Sequence, residues 1–417
     1  MDPKARNTLI LLSVAELLAM SLWFTGTAVL PQLEREWRLG LGAASWLTIS
    51  VQLGFVTGAL LAAIFNLADV FSAPRIFVIS ALLAATANAL FATFSSNVAF
   101  ALTCRFLTGA FLAGVYPTGM KILAGWFQQG RGLALGILIA ALTIGSATPH
   151  ALLAGRDYML ANIPWHHIVL ASSGLAILAA MIVALGVREG PYAAPQPPFH
   201  FSQIGEALRN RRLRLANLGY LGHMWELYSM WGWISLLLAA AASRSERTVP
   251  ASFIEFATFL VIAIGAIGCV WAGLASDTLA GAAASSAAGR LKSRANVTII
   301  AMATSAGCCL LAALLFNHLS LLLVVALIWG VAVIADSAQF SAIVSEVSDQ
   351  RYVGTALTTQ TALGFLLTTI SLRVMAYVAA NYGWRWAAAS LAIGPVLGVV
   401  AMVRLKRAGA DQAAAAC

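Results

Sequence analysis

Apolar stretches recur along the chain between short polar, Gly or Pro clusters. Crossing a hydrocarbon core about 30 Å thick takes about 20 apolar residues in a helix. Cutting at the polar breaks predicts twelve such helices, at residues 9–31, 43–66, 76–94, 98–119, 131–154, 165–187, 215–241, 251–275, 295–316, 319–343, 354–380 and 384–403. The one long polar interruption, 188–214, holds Glu189-Gly-Pro191, Pro195, Pro197, Pro198 and the basic run Arg209, Arg211, Arg212 and Arg214. It divides six spans from six. The expected organisation is a first bundle over 1–190, a cytoplasmic linker over 191–214, a second bundle over 215–407 and a tail over 408–417. Lys4 and Arg6 precede the first apolar run as they would in a signal peptide, but that run is long, contains Glu16 and leads into eleven more. It is expected to stay as a permanent helix.

Composition agrees with the pattern. The chain has 417 residues, 60% hydrophobic and 10% charged, where a soluble domain has about 25% charged. So few charges cannot cover a soluble globule, which excludes a soluble enzyme, and the hydrophobicity excludes disorder. Cys104, Cys269, Cys308 and Cys309 lie in apolar stretches and Cys417 is terminal, an odd set that does not make a disulfide framework. The expected fold class is an all-α polytopic membrane protein.

Charge then orients it. With the amino terminus cytoplasmic, 17 of the 25 Lys and Arg fall in inner segments and 6 in outer ones, leaving Arg105 and Arg373 inside spans. The positive-inside rule places both termini in the cytoplasm of a cell whose inner (plasma) membrane holds the chain. The net charge of +9 follows from topology and implies contact with anionic membrane lipid, not nucleic acid. Trp37, Trp46, Trp165, Trp384 and Trp386 fall near span ends, as interfacial anchors do.

The halves carry an internal repeat. Gly58-Ala-Leu-Leu-Ala-Ala-Ile-Phe-Asn-Leu-Ala-Asp69 leads to Pro74-Arg75, and Gly268-Cys-Val-Trp-Ala-Gly-Leu-Ala-Ser-Asp277 leads to Arg290, Lys292 and Arg294. The fourth span reads Arg105-Phe-Leu-Thr-Gly109-Ala-Phe-Leu-Ala-Gly114-Val-Tyr-Pro117. On these segments the chain resembles the major facilitator superfamily, whose loop between helices two and three pairs an acid with basic residues and whose fourth helix has an intramembrane Arg followed by glycines. The resemblance implies twelve helices in two pseudo-symmetric bundles and a small-molecule transporter expected as a monomer. It also implies an inner gate at Asp69, Arg75 and Asp277. The fifth span has Gly136, Gly145, Pro149 and His150 without the Gly-Pro and Gly-Gly of drug antiporters. A faint similarity to the nitrate/nitrite-porter branch lies in Tyr116-Pro-Thr-Gly-Met-Lys121 and the segment to Arg131. The second and eighth spans lack the Arg of that branch.

Charged groups at bilayer depth cost about 2.5 kcal/mol or more each and mark functional sites by default. Glu16, Arg105, His223, Glu226 and Asp336 fall on spans 1, 4, 7 and 10, which line the cavity in the family resembled, while spans 3, 6 and 9 carry no Asp, Glu, Lys or Arg and span 12 carries only Arg385, at its outer end. His223 and Glu226, three residues apart, share a helical face. Glu226 is the expected coupling carboxylate with His223 as partner, and Asp336 and Glu16 serve proton coupling or inner-gate pairing. Arg105 must meet an acid, a backbone carbonyl or an anionic substrate. Trp23, Trp225 and Tyr228 offer rings for a planar or cationic part of a solute, or packing around Gly222 and Gly232. His150 and Arg373 complete the substrate-binding candidates, with a hydrogen-bonded helix histidine and a snorkelling arginine as their plain alternatives. Gly54/Gly58 and Gly132/Gly136 are four apart, the spacing of close helix approach.

The leading expectation is a proton-coupled secondary transporter of a small organic solute, leaning to an organic anion through Arg105. Efflux of hydrophobic compounds is the alternative within transport. A metal-handling protein or non-transporting receptor is the alternative outside it. The sequence has no His-rich tract, Cys-x-x-Cys, His-Glu-x-x-His or phosphate-binding Gly loop, so neither a metal nor any other cofactor is expected.

Overall fold

A helix buried in lipid satisfies its own main chain, and the computed structural model of this chain is built from helices alone among the residues it describes: 2–94, 97–128, 130–159, 164–193, 203–205, 209–245, 248–281 and 286–415. The long helices are α1 (Pro3–Met20), α2 (Leu41–Ile64), α3 (Ala73–Phe94), α4 (Val98–Trp126), α5 (Arg131–Met159) and α6 (Trp165–Gly186). The second set is α7 (Arg211–Ala242), α8 (Ala251–Ser276), α9 (Ala287–Leu314), α10 (Leu319–Val347), α11 (Val353–Tyr382) and α12 (Trp384–Ala408). Ten of them are long and apolar enough to cross a membrane. The other two are α1, which carries Lys4, Arg6 and Glu16, and α7, diluted by His223, Glu226 and polar rings.

Side chains set the starts. Asp2 caps α1 by accepting from Lys4 N at 3.1 Å, Asn97 caps α4 by accepting from Phe100 N at 2.9 Å, and Asn210 Oδ1 accepts from Arg212 N and Leu213 N. Glu189 Oε1 accepts from Ala73 N at 3.0 Å, which ties the end of the first half to the start of α3.

Several expected spans are broken. The first is not continuous over 9–31: α1 ends at Met20, tight i−3 bonds at Leu22 and Trp23 follow, and short helices Thr25–Ala28 and Leu30–Trp37 complete the passage. Within α4 Gly114 and Val115 turn through i−3 bonds because Pro117 has no N–H and its ring excludes the regular carbonyl of residue 113. Pro395 breaks α12 at Ala392 in the same way. Helix α10 breaks at Asp336. The basic stretch expected as a loop before span 9, with Arg290, Lys292 and Arg294, is the first turns of α9.

Packing repeats between halves. In the first half α1 lies on α5 and α6, α2 on α4, and α3 on α4 and α6; in the second, α7 lies on α11 and α12, α8 on α10, and α9 on α10 and α12. The same order, advanced by six helices, is a parallel repeat. The halves meet along α2–α11 and α5–α8. Glycine makes the tightest seams. A Cβ at Gly54, Gly58 or Gly109 would collide with carbonyls of the facing α4 or α2, and one at Gly268 or Gly330 with carbonyls across α8–α10, the equivalent pair. Gly136 lies against the Cys269 carbonyl between halves, whereas Gly132 faces nothing within 4 Å.

Gly109→Leu is therefore expected to force α2 from α4, at a cost of about 1–3 kcal/mol or more. Gly132→Ala should leave stability unchanged or slightly raised. Thermal unfolding of the purified variants in detergent checks the contrast.

Candidate functional site

The break after α1 leaves main-chain carbonyls without helical donors inside the first half, and Arg105 of α4 fills that need. Its guanidinium is fully buried. Nη1 donates to Leu22 O at 3.1 Å and to Asn88 Oδ1 at 2.9 Å, and Nη2 donates to Trp23 O. Asn88 in turn donates to Val169 O and Ser173 Oγ, both at 3.0 Å. One cation thus ties α1, α3, α4 and α6. Gly26 leaves the room for it, since a Cβ there would sit 3.1 Å from Arg105 Nε. Of the partners open to Arg105, the structure supplies the backbone carbonyl.

Glu16, one turn before the end of α1, is fully buried and neither carboxyl oxygen has a hydrogen-bond partner. Oε2 points at the backbone of Gly119 in α4, with Leu138 of α5 alongside. Tyr116 lies within electrostatic range of Glu16 and of Tyr220 in the other half.

In the second half Glu226 is supplied with donors and Asp336 lies against a histidine. Glu226 Oε1 accepts from Ser305 Oγ at 2.6 Å, Cys309 Sγ at 3.1 Å and Trp329 Nε1 at 2.5 Å. His223 Nδ1 lies 2.8 Å from Asp336 Oδ1 and its Nε2 2.8 Å from Ser337 Oγ. The expected His223–Glu226 pair is not formed, because Glu226 turns to α9 and the first part of α10 while His223 turns to the α10 break. Asp336, expected as a separate group, is the partner of His223.

Between the halves stands an aromatic layer. Trp23 lies 4.9 Å from Phe55, 5.7 Å from Tyr228 and 5.6 Å from Phe365; Phe55 is 4.5 Å and Tyr228 4.9 Å from Phe365. The segments that carry these rings also hold buried polar atoms without partners, at Trp23 Nε1, Trp231 Nε1, Gln52 and Gln360 Nε2. Such atoms cost free energy in a dry interior unless a ligand or water meets them.

Two polar latches join the halves at the end of the bundle opposite the chain termini, the distal end. His150 Nδ1 of α5 is 2.6 Å from Glu255 Oε2 of α8, and Ser235 Oγ of α7 donates to Glu255 Oε1 at 3.0 Å. Arg373 of α11 donates through Nη1 to Gly42 O and, at 3.4 Å, to Ser45 Oγ of α2. A small distal cavity of about 80 Å³ beside Glu255 is lined by Gln32 and Arg35.

The structure therefore brings Trp23 and Tyr228 together and places His150 and Arg373 in the latches. Trp225 lies apart, facing the membrane side of α7, with its Nε1 3.4 Å from Ser390 O. Arg75 is exposed in the first turn of α3. The side chains of Asp69 and Asp277 fall outside the described residues. Glu255, Phe55 and Phe365 were not singled out by sequence: Glu255 lies four residues inside its span, and nothing in the pattern separates those two phenylalanines from other apolar positions. Among the described residues no group of three His, Cys, Asp or Glu could hold a metal ion.

An all-α membrane bundle of two repeated halves, with ionisable groups buried inside and polar latches between, is the architecture of a transporter and not of an enzyme. The chain belongs to the Major Facilitator Superfamily, whose profile matches residues 11–282. No curated protein sequence matches it. Among solved structures it is similar to a bacterial homologue of the human lysosomal transporter Spinster in an inward-facing, unoccupied conformation, at 14% identity and TM-score 0.70 over 98% of each chain. A variant of the nucleoside transporter NupG is similar at 15% identity and TM-score 0.69, over 95% of this chain and 99% of that one.

Arg105→Lys keeps the charge but loses the fork that serves three acceptors. It is expected to lower stability by about 3 kcal/mol, and Arg105→Ala by more, as read by the unfolding midpoint in detergent.

Proposed function

We propose that this superfamily member is a proton-coupled secondary transporter that moves a small organic solute by rocking halves of residues 1–190 and 215–407 about the aromatic layer. Counting α1 and α7 as spans gives twelve, and the excess of basic residues at the end that carries the termini supports a cytoplasmic position for both, in the inner (plasma) membrane. The observation that carries the proton coupling is Glu16, fully buried with both carboxyl oxygens unpartnered. Ionised there, it would cost several kcal/mol. A proton relieves that cost when the site is closed, and water relieves it when the site opens, so proton binding follows the change of access. Glu226, already supplied with three donors, and the His223–Asp336 pair are the second group of this kind.

Ring faces at Trp23 and Tyr228 and the unpartnered atoms of Gln52 and Gln360 support a solute with a flat apolar part and a few polar groups. Arg105 is engaged by carbonyls in this state, which removes the ground for favouring an anion. Export of hydrophobic compounds is the second reading, favoured by the same rings.

In proteoliposomes with an imposed pH gradient, Glu16→Gln is expected to lower proton-driven accumulation about tenfold or more while solute exchange without a gradient persists. Glu226→Gln should act in the same direction. Wild-type accumulation by both variants would sink the coupling assignment.

Loss of a distal latch should open that end. Arg373→Gln or Glu255→Gln, combined with Gln32→Cys, is expected to speed labelling by a membrane-impermeant maleimide in intact cells several-fold over Gln32→Cys alone. Equal rates would remove the latches from the gate.

A further inference from the structure

On the membrane-facing side of the second half, α7, α11 and α12 enclose a groove of about 400 Å³ that plays no part in the transport reading above. Its floor is the crossing of α7 and α12 at Gly222 and Gly394, where a Cβ on either would collide with the other's main chain. Leu218, Leu367 and Leu397 form its walls, Trp225 lies at its deep end and Arg404 at its mouth. Among the described residues no acidic side chain lines it.

Length and charge together select an occupant. From Gly394 to Arg404 on α12, and from Trp225 to Leu215 on α7, the groove runs ten residues, a rise of about 15 Å. That is the depth of one leaflet's hydrocarbon, half of about 30 Å. Past the apolar run both helices turn basic at the same end. Exposed Arg211 precedes Leu215 and Leu218 on one face of α7, and exposed Arg407 follows Arg404 by one turn of α12. An apolar slot one leaflet deep that opens on arginines is complementary to an acyl chain joined to a phosphate. Arginine donors suit that phosphate better than a zwitterionic headgroup, whose own cation competes for it.

We propose that this groove is a binding site for an anionic phospholipid of the leaflet in which α7 begins and α12 ends, with one acyl chain along Leu218 and Leu397 up to Trp225 and the headgroup phosphate on Arg404. Because α7 also carries Tyr228 and Glu226, an occupied groove would hold α7 against α12 while the halves move.

Native mass spectrometry of the full chain in detergent, titrated with phosphatidylglycerol or phosphatidylcholine of the same acyl chains, tests it. Wild type is expected to bind phosphatidylglycerol about tenfold more tightly. Arg404→Gln should abolish that preference and Lys4→Gln, at the same end of the bundle but on α1, should keep it. Leu218→Trp, which fills the groove, should weaken both lipids, and glycerol 3-phosphate should not compete. The proposal is overturned by a wild type without preference, by Arg404→Gln retaining it, or by Lys4→Gln losing it. Wild-type lipid binding by Leu218→Trp, or competition by the soluble phosphate, would overturn it equally. Each of these results leaves the proton-coupling reading standing, since neither Glu16 nor the distal latches touch the groove.

Discussion

A guanidinium at the centre of a helix bundle has to be given acceptors, and the acceptors of Arg105 are the carbonyls of Leu22 and Trp23 that appear because α1 stops at Met20. The two features need each other. Without the arginine, the exposed carbonyls would be orphans in a dry interior; without the break, the cation would have only Asn88. Everything that follows in the first half is set by this exchange. The break turns Trp23 and Phe24 toward the second half, where they meet Tyr228, Trp231 and Phe365, and it leaves Glu16 on the last regular turn before it.

The repeat is one of packing and not of chemistry. The glycine seams α2–α4 and α8–α10 match, as do the helix neighbours throughout. The buried charges do not. The first half holds a cation bound by three acceptors and a carboxyl without a partner; the second holds one carboxyl with three donors and another set against a histidine. Two halves of like shape thus carry different buried chemistry inside a symmetric frame.

Much of the frame was legible in the chain, because a membrane helix advertises itself through length and apolarity, and the halves through the polar interruption from Arg188 to Arg214. Breaks were less visible. Pro117 and Pro395 mark two of them, but the interruption after Met20 depends on Arg105, which lies more than eighty residues away. The site was legible as a set of positions and not as pairings. Glu16, His223, Glu226 and Asp336 are all buried as their placement on spans implied, yet three residues of spacing on α7 did not decide that Glu226 would turn to Trp329 and His223 to Asp336. The turn taken by a side chain depends on neighbouring helices, and their rotation is not written in any one segment. Glu255 lies near a span end, where an acid ordinarily reaches water, so nothing in its sequence context marks it.

The distal latches also have a thermodynamic meaning. A hydrogen bond that involves a charged group contributes about 1.5 kcal/mol or more, and two main contacts, His150–Glu255 and Arg373–Gly42, join the halves at that end. Under the rocking proposed above, their sum would favour distally closed over distally open molecules by on the order of a hundredfold. A cargo that enters from the far side has to favour the open form by that much through its own contacts. The affinity measured there would be weakened by the same factor relative to the affinity of the open site itself.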